Sequence, residues 1–488
     1  MELIEQIDRW SEIYPERAAH VSGAHSITYR ELTSRSNKLA AYLSSTLPSD
    51  GSPVVILGHK EIEMLVGFLG CIKSGHPYIP LDTSLPSQRV EVVIETARSS
   101  LTLTPEQIRE IISNDSENKF TIHKPALNDP WYIIFTSGST GNPKGVTITR
   151  GCLENFVEWV TAEQGFKEGN EIFLNQAPFS FDLSVMDLYA SLASGGTLFS
   201  INKDEIAEQK VLYKTLAKSD VSFWVSTPSF ARMCLMEHSF NQEMLPNVHT
   251  FWFCGETLAP DVAANLLKRF PNAKVWNTYG PTEATVATTS IQITEEVIAK
   301  YSPLPVGRPK PGTQVVVHDE KSNPVAGGER GEIIIAGPNV SVGYIHRPDL
   351  TSRAFFELNN QRAYHTGDWG RYQDGLLFFE GRMDFQIKLH GYRIEIGDIE
   401  SNLHALTNVQ DAVVIPAMKN ERADYLVAFM ILKSKSEKSD FEVMREMKRQ
   451  LSERVPDYMV PRKFVFLAEF PTTTNGKVDR KKLAETIQ

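Results

Sequence analysis

WYIIF (Trp131 to Phe135) runs without a break into TSGSTGNPKG (Thr136 to Gly145). An apolar, β-forming run thus ends in a stretch made mostly of Gly, Ser and Thr, where backbone N–H groups and hydroxyls can close around an anion and Lys144 adds a point charge for phosphate. It is not the Walker-type loop, because no Gly-Lys-Ser/Thr follows. Working outward, three more apolar runs end alike. VSFWV (Val221 to Val225) leads into STPS, HTFWF (His249 to Phe253) into Cys254-Gly255-Glu256-Thr257, and AKVWN (Ala273 to Asn277) into TYGPTE. Ligands of open α/β sheets bind beyond the carboxyl ends of strands, so four such loops predict one shared site. The plainer reading is four strand-to-helix turns, which use the same residues. Upstream, PVVILG (Pro53 to Gly58) reads as a buried strand. Met64, Leu65, Phe68, Leu69 and Ile72 then follow at helical spacing, with a stop at Gly75.

The chain has 488 residues, 41% hydrophobic and 23% charged, enough for more than one domain with a large core. Net charge is −10, but residues 385–488 hold 17 Lys and Arg against 15 Asp and Glu, leaving the first part clearly acidic. Phosphate neutralisation demands a basic face, so nucleic acid is excluded as a partner. The four cysteines, Cys71, Cys152, Cys234 and Cys254, form no CxxC pair, which signals neither a zinc site nor a disulfide framework. The first residues, MELIEQIDRW, carry acids where a secretion signal needs bases, and no apolar run reaches the ~18 residues of a membrane span. A cytoplasmic location, not an integral membrane one, is expected. KSKSEKSD (Lys433 to Asp440) reads as an exposed loop.

Together with TSGSTGNPKG, the runs NTYGPTE (Asn277 to Glu283), YHTGDW (Tyr364 to Trp369), GRMDFQIKLHGYRIEIGDIE (Gly381 to Glu400) and NGKVDR (Asn475 to Arg480) resemble the ordered motifs of the adenylate-forming superfamily. SITYREL (Ser26 to Leu32), KSGHPYIPLD (Lys73 to Asp82), GEIIIAGPNVSVGY (Gly331 to Tyr344) and VPDYMVP (Val455 to Pro461) extend the likeness over essentially the whole chain. FSFDLSVMDLYASLASGGTL (Phe179 to Leu198), STPSFARMCLM, FCGETL and Leu389-His390 are similar to the branch that activates D-alanine for a carrier protein. Trp369 and Pro77 depart from the usual residues at their positions.

The resemblance implies an α/β fold: a large N-terminal adenylate-forming domain of mixed sheets with helices (1–383), and a small mobile α+β C-terminal domain (384–488) hinged near Asp384. It implies two half-reactions, in which a carboxylate attacks the α-phosphate of ATP and a phosphopantetheine thiol then displaces AMP. ATP and Mg²⁺ are the expected cofactors. By motif, Lys477 bridges the substrate carboxylate and the adenylate phosphate, and Arg382 contacts ribose and phosphate. Thr136, Ser137, Gly138, Ser139, Thr140, Lys144, Asn277, Tyr279, Gly280, Thr282 and Asp368 complete the ATP site, with Tyr279 stacking on adenine and Asp368 taking the ribose hydroxyls. Glu283 is the expected metal ligand, since Mg²⁺ needs few protein carboxylates beside phosphate oxygens and water.

Asp182 matches the aspartate that pairs with the α-ammonium of an amino-acid substrate. A carboxylate among Phe179, Phe181, Leu183 and Met186 is costly unless a cation arrives, although a helix N-cap is the alternative use. Leu183, Met186, Trp252, Cys254, Thr278 and Val286 would leave room for a small side chain, and the cysteine at position 254 favours the D-enantiomer in the resembled branch. The expected product is D-alanyl-AMP, destined for a D-alanyl carrier protein and teichoic acid D-alanylation. With eight residues after Arg480, the carrier is expected in trans. Other readings are a stand-alone enzyme for another small amino acid, an acyl-CoA synthetase, which conflicts with Asp182, and a non-catalytic binding module.

Overall fold

The computed structural model describes residues 2–114, 121–138, 142–166, 168–321, 323–325, 327–384, 386–389, 391–419, 422–434, 439–472 and 478–487. Chain contacts divide it into two compact units. One comprises Met1–Asp82, Ala97–Ile134 and Gly145–Met383, and the other comprises Thr83–Thr96, Phe135–Lys144 and Asp384–Gln488.

The first unit is built on three sheets. In the nine-stranded sheet, Thr197–Ser200, Ile172–Asn175, Phe223–Ser226, Thr250–Phe253 and Lys274–Tyr279 form a parallel centre, in that order. These strands are largely apolar and mostly buried, as suits strands covered on both faces. Ser226 pairs with Phe253 and Phe253 with Asn277, so the runs beginning at Val221, His249 and Ala273 end side by side at one edge, as expected. The strand Thr289–Ile293 returns antiparallel to Lys274–Tyr279, which places the intervening turn beside that edge.

The six-stranded sheet runs Gly343–Tyr344, Lys144–Thr149, Pro130–Thr136, Tyr78–Leu81, Val54–Leu57, Leu101–Leu103. Val54–Leu57 and the helix Ile62–Ser74 realise the first predicted βα unit, closed by Gly75 at φ 90°. The fourth loop differs from a strand-to-helix turn. TSGSTGNPKG connects two neighbouring strands, because Val146, Thr147, Ile148 and Thr149 continue as a β-branched run. The helix Arg150–Gln164 begins only after it, with the Thr149 side chain accepting from Cys152 N. In the remaining sheet, Gln361–Gln373 pairs with Leu376–Arg382, and Asp368 lies opposite Arg382.

In the second unit, Gln386–Leu389 and Tyr392–Glu395 form a hairpin. Val409–Lys419, Arg422–Leu432 and Lys463–Phe466 form a three-stranded sheet. Helices Ile396–His404 and Asp440–Ser452 add Ile399, Leu403, Met447 and Leu451 to a core with Val414, Ala428 and Met430. The helix Asp440–Ser452 starts with a Ser439–Glu442 capping box, at the end of the stretch read as a loop.

Candidate active site

The best-defined constellation lies on Lys274–Tyr279 and the Gln361–Gln373/Leu376–Arg382 hairpin. Tyr279 Oη donates to Asp368 Oδ2 at 2.6 Å, and Arg382 Nη1 donates to Asp368 Oδ1 at 2.6 Å and to Thr366 O at 2.6 Å. Asp368 N donates to Thr366 Oγ1 at 3.0 Å. One partner on each oxygen fixes the carboxylate plane, while a carboxylate has about four lone-pair sites, so the remaining ones can still accept from a diol. Burial and the neighbouring Asp368 charge push the Tyr279 phenol well above its usual range, so it stays a neutral donor. The sequence reading gave Tyr279 a ring to stack with. Its hydroxyl as an anchor for Asp368 needed the fold to appear. The departure at Trp369 also has a structural partner, since the Arg330 guanidinium lies 4.8 Å from its ring centroid.

Asn277 Nδ2 donates to Pro305 O at 2.8 Å, and Thr278 Oγ1 to Phe253 O at 2.8 Å. Both are buried, so these side chains tie the sheet edge to its surroundings. Gly280 follows where a Cβ would meet Ala287 Cα at 2.7 Å and Val286 O at 2.8 Å. Thr282 and Glu283 lie in the short 3₁₀ turn Thr282–Ala284. Glu283 is completely buried, and its Oε1 accepts from Tyr344 Oη at 2.8 Å. Tyr344 stands in the GEIIIAGPNVSVGY motif, but nothing in the sequence spacing assigns it to Glu283. A single hard carboxylate suits Mg²⁺ carried on phosphate oxygens and water, so the residues fit that ion. Among the described residues there is no cluster of three or more His, Cys, Asp or Glu that could cage a metal.

Asp182 takes the N-cap position of helix Leu183–Ser194, yet its side chain makes no capping hydrogen bond. The cap alternative therefore holds for position but not for the carboxylate, which is partly exposed beside buried Phe179, Leu183 and Met186. Across the nine-stranded sheet edge, Trp252, Cys254, Thr278 and Val286 are all buried. Cys254 Sγ donates to Val286 O at 3.5 Å, which joins two of the expected pocket residues directly. Trp252 stacks on Trp276 at 5.4 Å between centroids and meets Trp159 edge-on at 5.9 Å. Trp252 is thus packed against two other indole rings.

In the second unit, Ser137 Oγ donates to Arg393 O at 3.0 Å and accepts from Glu395 N at 3.1 Å. Thr136 Oγ1 is buried with no hydrogen-bond partner among the described residues. Gly138 backs onto the Asn142 carbonyl with no room for a Cβ, and Lys144 opens the strand that follows. Ser139, Thr140 and Lys477 lie outside the described residues, as does His390. The expected hinge residue Asp384 accepts from Gln386 N at 3.1 Å.

Parallel strands that end at a buried tyrosine–aspartate–arginine cluster, with one buried carboxylate on the turn that follows, match the arrangement expected of an adenylate-forming enzyme. Residues 7–345 match the AMP-binding enzyme family and residues 398–477 the AMP-binding enzyme C-terminal domain. The chain is 47% identical to a D-alanine--D-alanyl carrier protein ligase of Bacillus cytotoxicus and 48% identical to one of Bacillus anthracis, over 100% of both chains in each case. Among solved structures it is similar to a Vibrio cholerae adenylation domain in complex with glycyl-adenosine-5'-phosphate. That match has a TM-score of 0.85 at 20% identity, covering 100% of this chain and 97% of that one. It is also similar to o-succinylbenzoate CoA synthetase from Bacillus subtilis, with a TM-score of 0.85 at 21% identity and 98% of each chain covered. The chain belongs to the AMP-binding enzyme family and, within it, to the D-alanine--D-alanyl carrier protein ligases.

Proposed function

We propose that this chain activates D-alanine with ATP and transfers the D-alanyl group to the phosphopantetheine thiol of a carrier protein supplied in trans. The observation that carries this reading is full-length identity near one half to relatives of that name. In the first half-reaction a D-alanine carboxylate oxygen bonds to the α-phosphorus and pyrophosphate leaves. In the second, the thiol sulfur bonds to the acyl carbon, AMP leaves, and the thiol proton is released. Both steps bring anions together, so positioning and charge neutralisation form most of the task.

Asp368, held by Tyr279 and Arg382, takes the ribose hydroxyls, and the Tyr279 ring backs the adenine. Arg382 and Lys477 offset phosphate charge, Lys477 also drawing in the substrate carboxylate. Thr136, Ser137, Gly138, Ser139, Thr140 and Lys144 embrace the outgoing phosphates. Glu283 holds Mg²⁺, which when bound spreads the charge of the triphosphate. Asp182 receives the α-ammonium, and Leu183, Met186, Cys254, Thr278 and Val286 enclose the methyl group. A second reading, activation of glycine or L-alanine by the same site, differs only in this last enclosure.

In this account the domain boundary and hinge fall at Asp384, and Asp384→Pro spares adenylation more than thioester formation, because proline restricts φ. The enzyme works in the cytoplasm, and its product serves teichoic acid D-alanylation. No described helix is long and apolar enough to cross a membrane. The test is mass spectrometry of a phosphopantetheinylated D-alanyl carrier protein after incubation with the enzyme, ATP and D-alanine. The expected result is a gain of one alanyl group that hydroxylamine removes. An unmodified carrier, with AMP nevertheless released, would refute transfer.

A further inference from the structure

The turn after YGPTE contains two adjacent β-branched residues in the left-handed region, Thr285 at φ 56° and Val286 at φ 66°. Such residues persist there only where their surroundings over-determine them. The turn does hold itself in part, since Ala287 N donates to Thr285 O at 2.8 Å and Thr288 N to Tyr279 O at 2.7 Å. Most of the remaining restraint comes from one distant loop. Asn339, completely buried, donates from Nδ2 to Ala284 O at 2.9 Å and to Thr288 Oγ1 at 3.2 Å. Its Oδ1 accepts from Thr313 Oγ1 at 2.8 Å, and its backbone carbonyl accepts from Thr285 Oγ1 at 2.7 Å. Two residues on, Ser341 N donates to Glu283 O at 2.9 Å, and Tyr344 Oη reaches Glu283 Oε1.

The strained turn carries Glu283 at one end and Val286 at the other, and Cys254 bonds to the Val286 carbonyl. The proposed metal carboxylate and the proposed wall of the substrate pocket therefore belong to a single element. We propose that Asn339 is a positioning residue that locks this turn, so that it sets the Mg²⁺–ATP contact and the fit to the D-alanyl group together. The inference rests on the adenylation reading. An asparagine is suited to the role because its planar amide donates to acceptors on both sides of the turn while its oxygen accepts from Thr313, and a half-satisfied buried network loses more than one bond. Asn339→Asp keeps the shape and the acceptor toward Thr313 but deletes both donors. Thr288→Val is the milder variant, removing only one partner of the amide.

The test uses the full chain and three titrations: a non-reactive D-alanylsulfamoyl adenosine by calorimetry, Mn²⁺ with ATP by electron paramagnetic resonance, and AMP by calorimetry. In Asn339→Asp the mimic and Mn²⁺–ATP should each weaken about tenfold, and AMP should change less than about twofold, because the Tyr279–Asp368–Arg382 cluster is untouched. Thr288→Val should shift the same two ligands in the same direction by a smaller factor, so the test stands even where the aspartate variant does not fold. A lowered melting temperature with unchanged affinities would reduce Asn339 to a packing role. Loss confined to one of the two ligands, or equal loss of AMP, would also overturn the inference. If the wild-type chain binds the mimic no better than AMP, the adenylation reading fails first, which separates the two failures.

Discussion

Tyr279→Phe separates the two jobs assigned to one residue. The substitution keeps the ring, including its tilted contact with Phe379 at 5.9 Å between centroids, and removes only the hydroxyl that donates to Asp368 Oδ2 at 2.6 Å. A buried hydrogen bond to a charged group has a net worth of about 1.5–3 kcal/mol. Asp368 then keeps Arg382 on its other oxygen, so the carboxylate can swing about that remaining contact. If about 1.4 kcal/mol of this loss appears in nucleotide binding, the KM for ATP rises about tenfold. The KM for D-alanine should stay within about twofold, because Asp182, Cys254 and Val286 do not touch this hydroxyl. The assay is amino-acid-dependent ATP–pyrophosphate exchange, with ATP and then D-alanine varied, alongside urea denaturation. Because the phenol is held well above its usual range, the wild-type KM for ATP should show no tyrosine ionisation up to about pH 9. An unchanged or lower KM for ATP in the variant, or an equal rise for both substrates, would refute the anchoring role.

Cys254→Ala should relax discrimination between D- and L-alanine, since it removes the thiol on the Val286 carbonyl and opens space beside Trp252. Exchange with L-alanine as low as in the parent would contradict this. Gly280→Ala should raise the KM for D-alanine and lower stability by about 1–3 kcal/mol, because the new methyl meets backbone atoms of Val286 and Ala287. Wild-type values for both in exchange and urea titrations would argue against the close approach. Burial lowers the His20 imidazole from 6.5 to about 3, where its Nε2 faces Ser200 Oγ at 2.9 Å. Between those values the unfolded chain binds the extra proton, so stability falls as pH drops from 6.5 toward 3, by up to about 1.4 kcal/mol per pH unit. His20→Gln should flatten that acid limb in urea titrations at pH 7 and pH 4.5, and an unchanged slope would contradict the assignment.

Much of the site can be read from short runs of residues. Apolar strands followed by Ser-Thr-Pro, Cys-Gly-Glu and Thr-Tyr-Gly-Pro mark the sheet edge, because fully buried parallel strands leave a compositional break where they stop. PVVILG and the helix before Gly75 are legible for the same reason. TSGSTGNPKG is not, as a connection: Gly and Ser suit a hairpin loop as well as a strand-to-helix turn, and only pairing between Pro130–Thr136 and Lys144–Thr149 decides. Asp182 shows the limit of local rules, since its cap position is correct while its side chain makes no cap bond. The Tyr279–Asp368, Tyr344–Glu283 and Asn339–Ala284 contacts span 89, 61 and 55 residues, and no periodicity carries information over such separations.

The residues around Asp182 and Cys254 are proposed to select D-alanine for adenylation. The most direct test is ATP–pyrophosphate exchange measured with D-alanine, L-alanine, glycine and L-serine, with Lys477→Ala as control. The highest kcat/KM is expected with D-alanine, and exchange is lost in the control. Exchange with none of the four, or a preference for L-alanine or glycine over D-alanine, would contradict that selection.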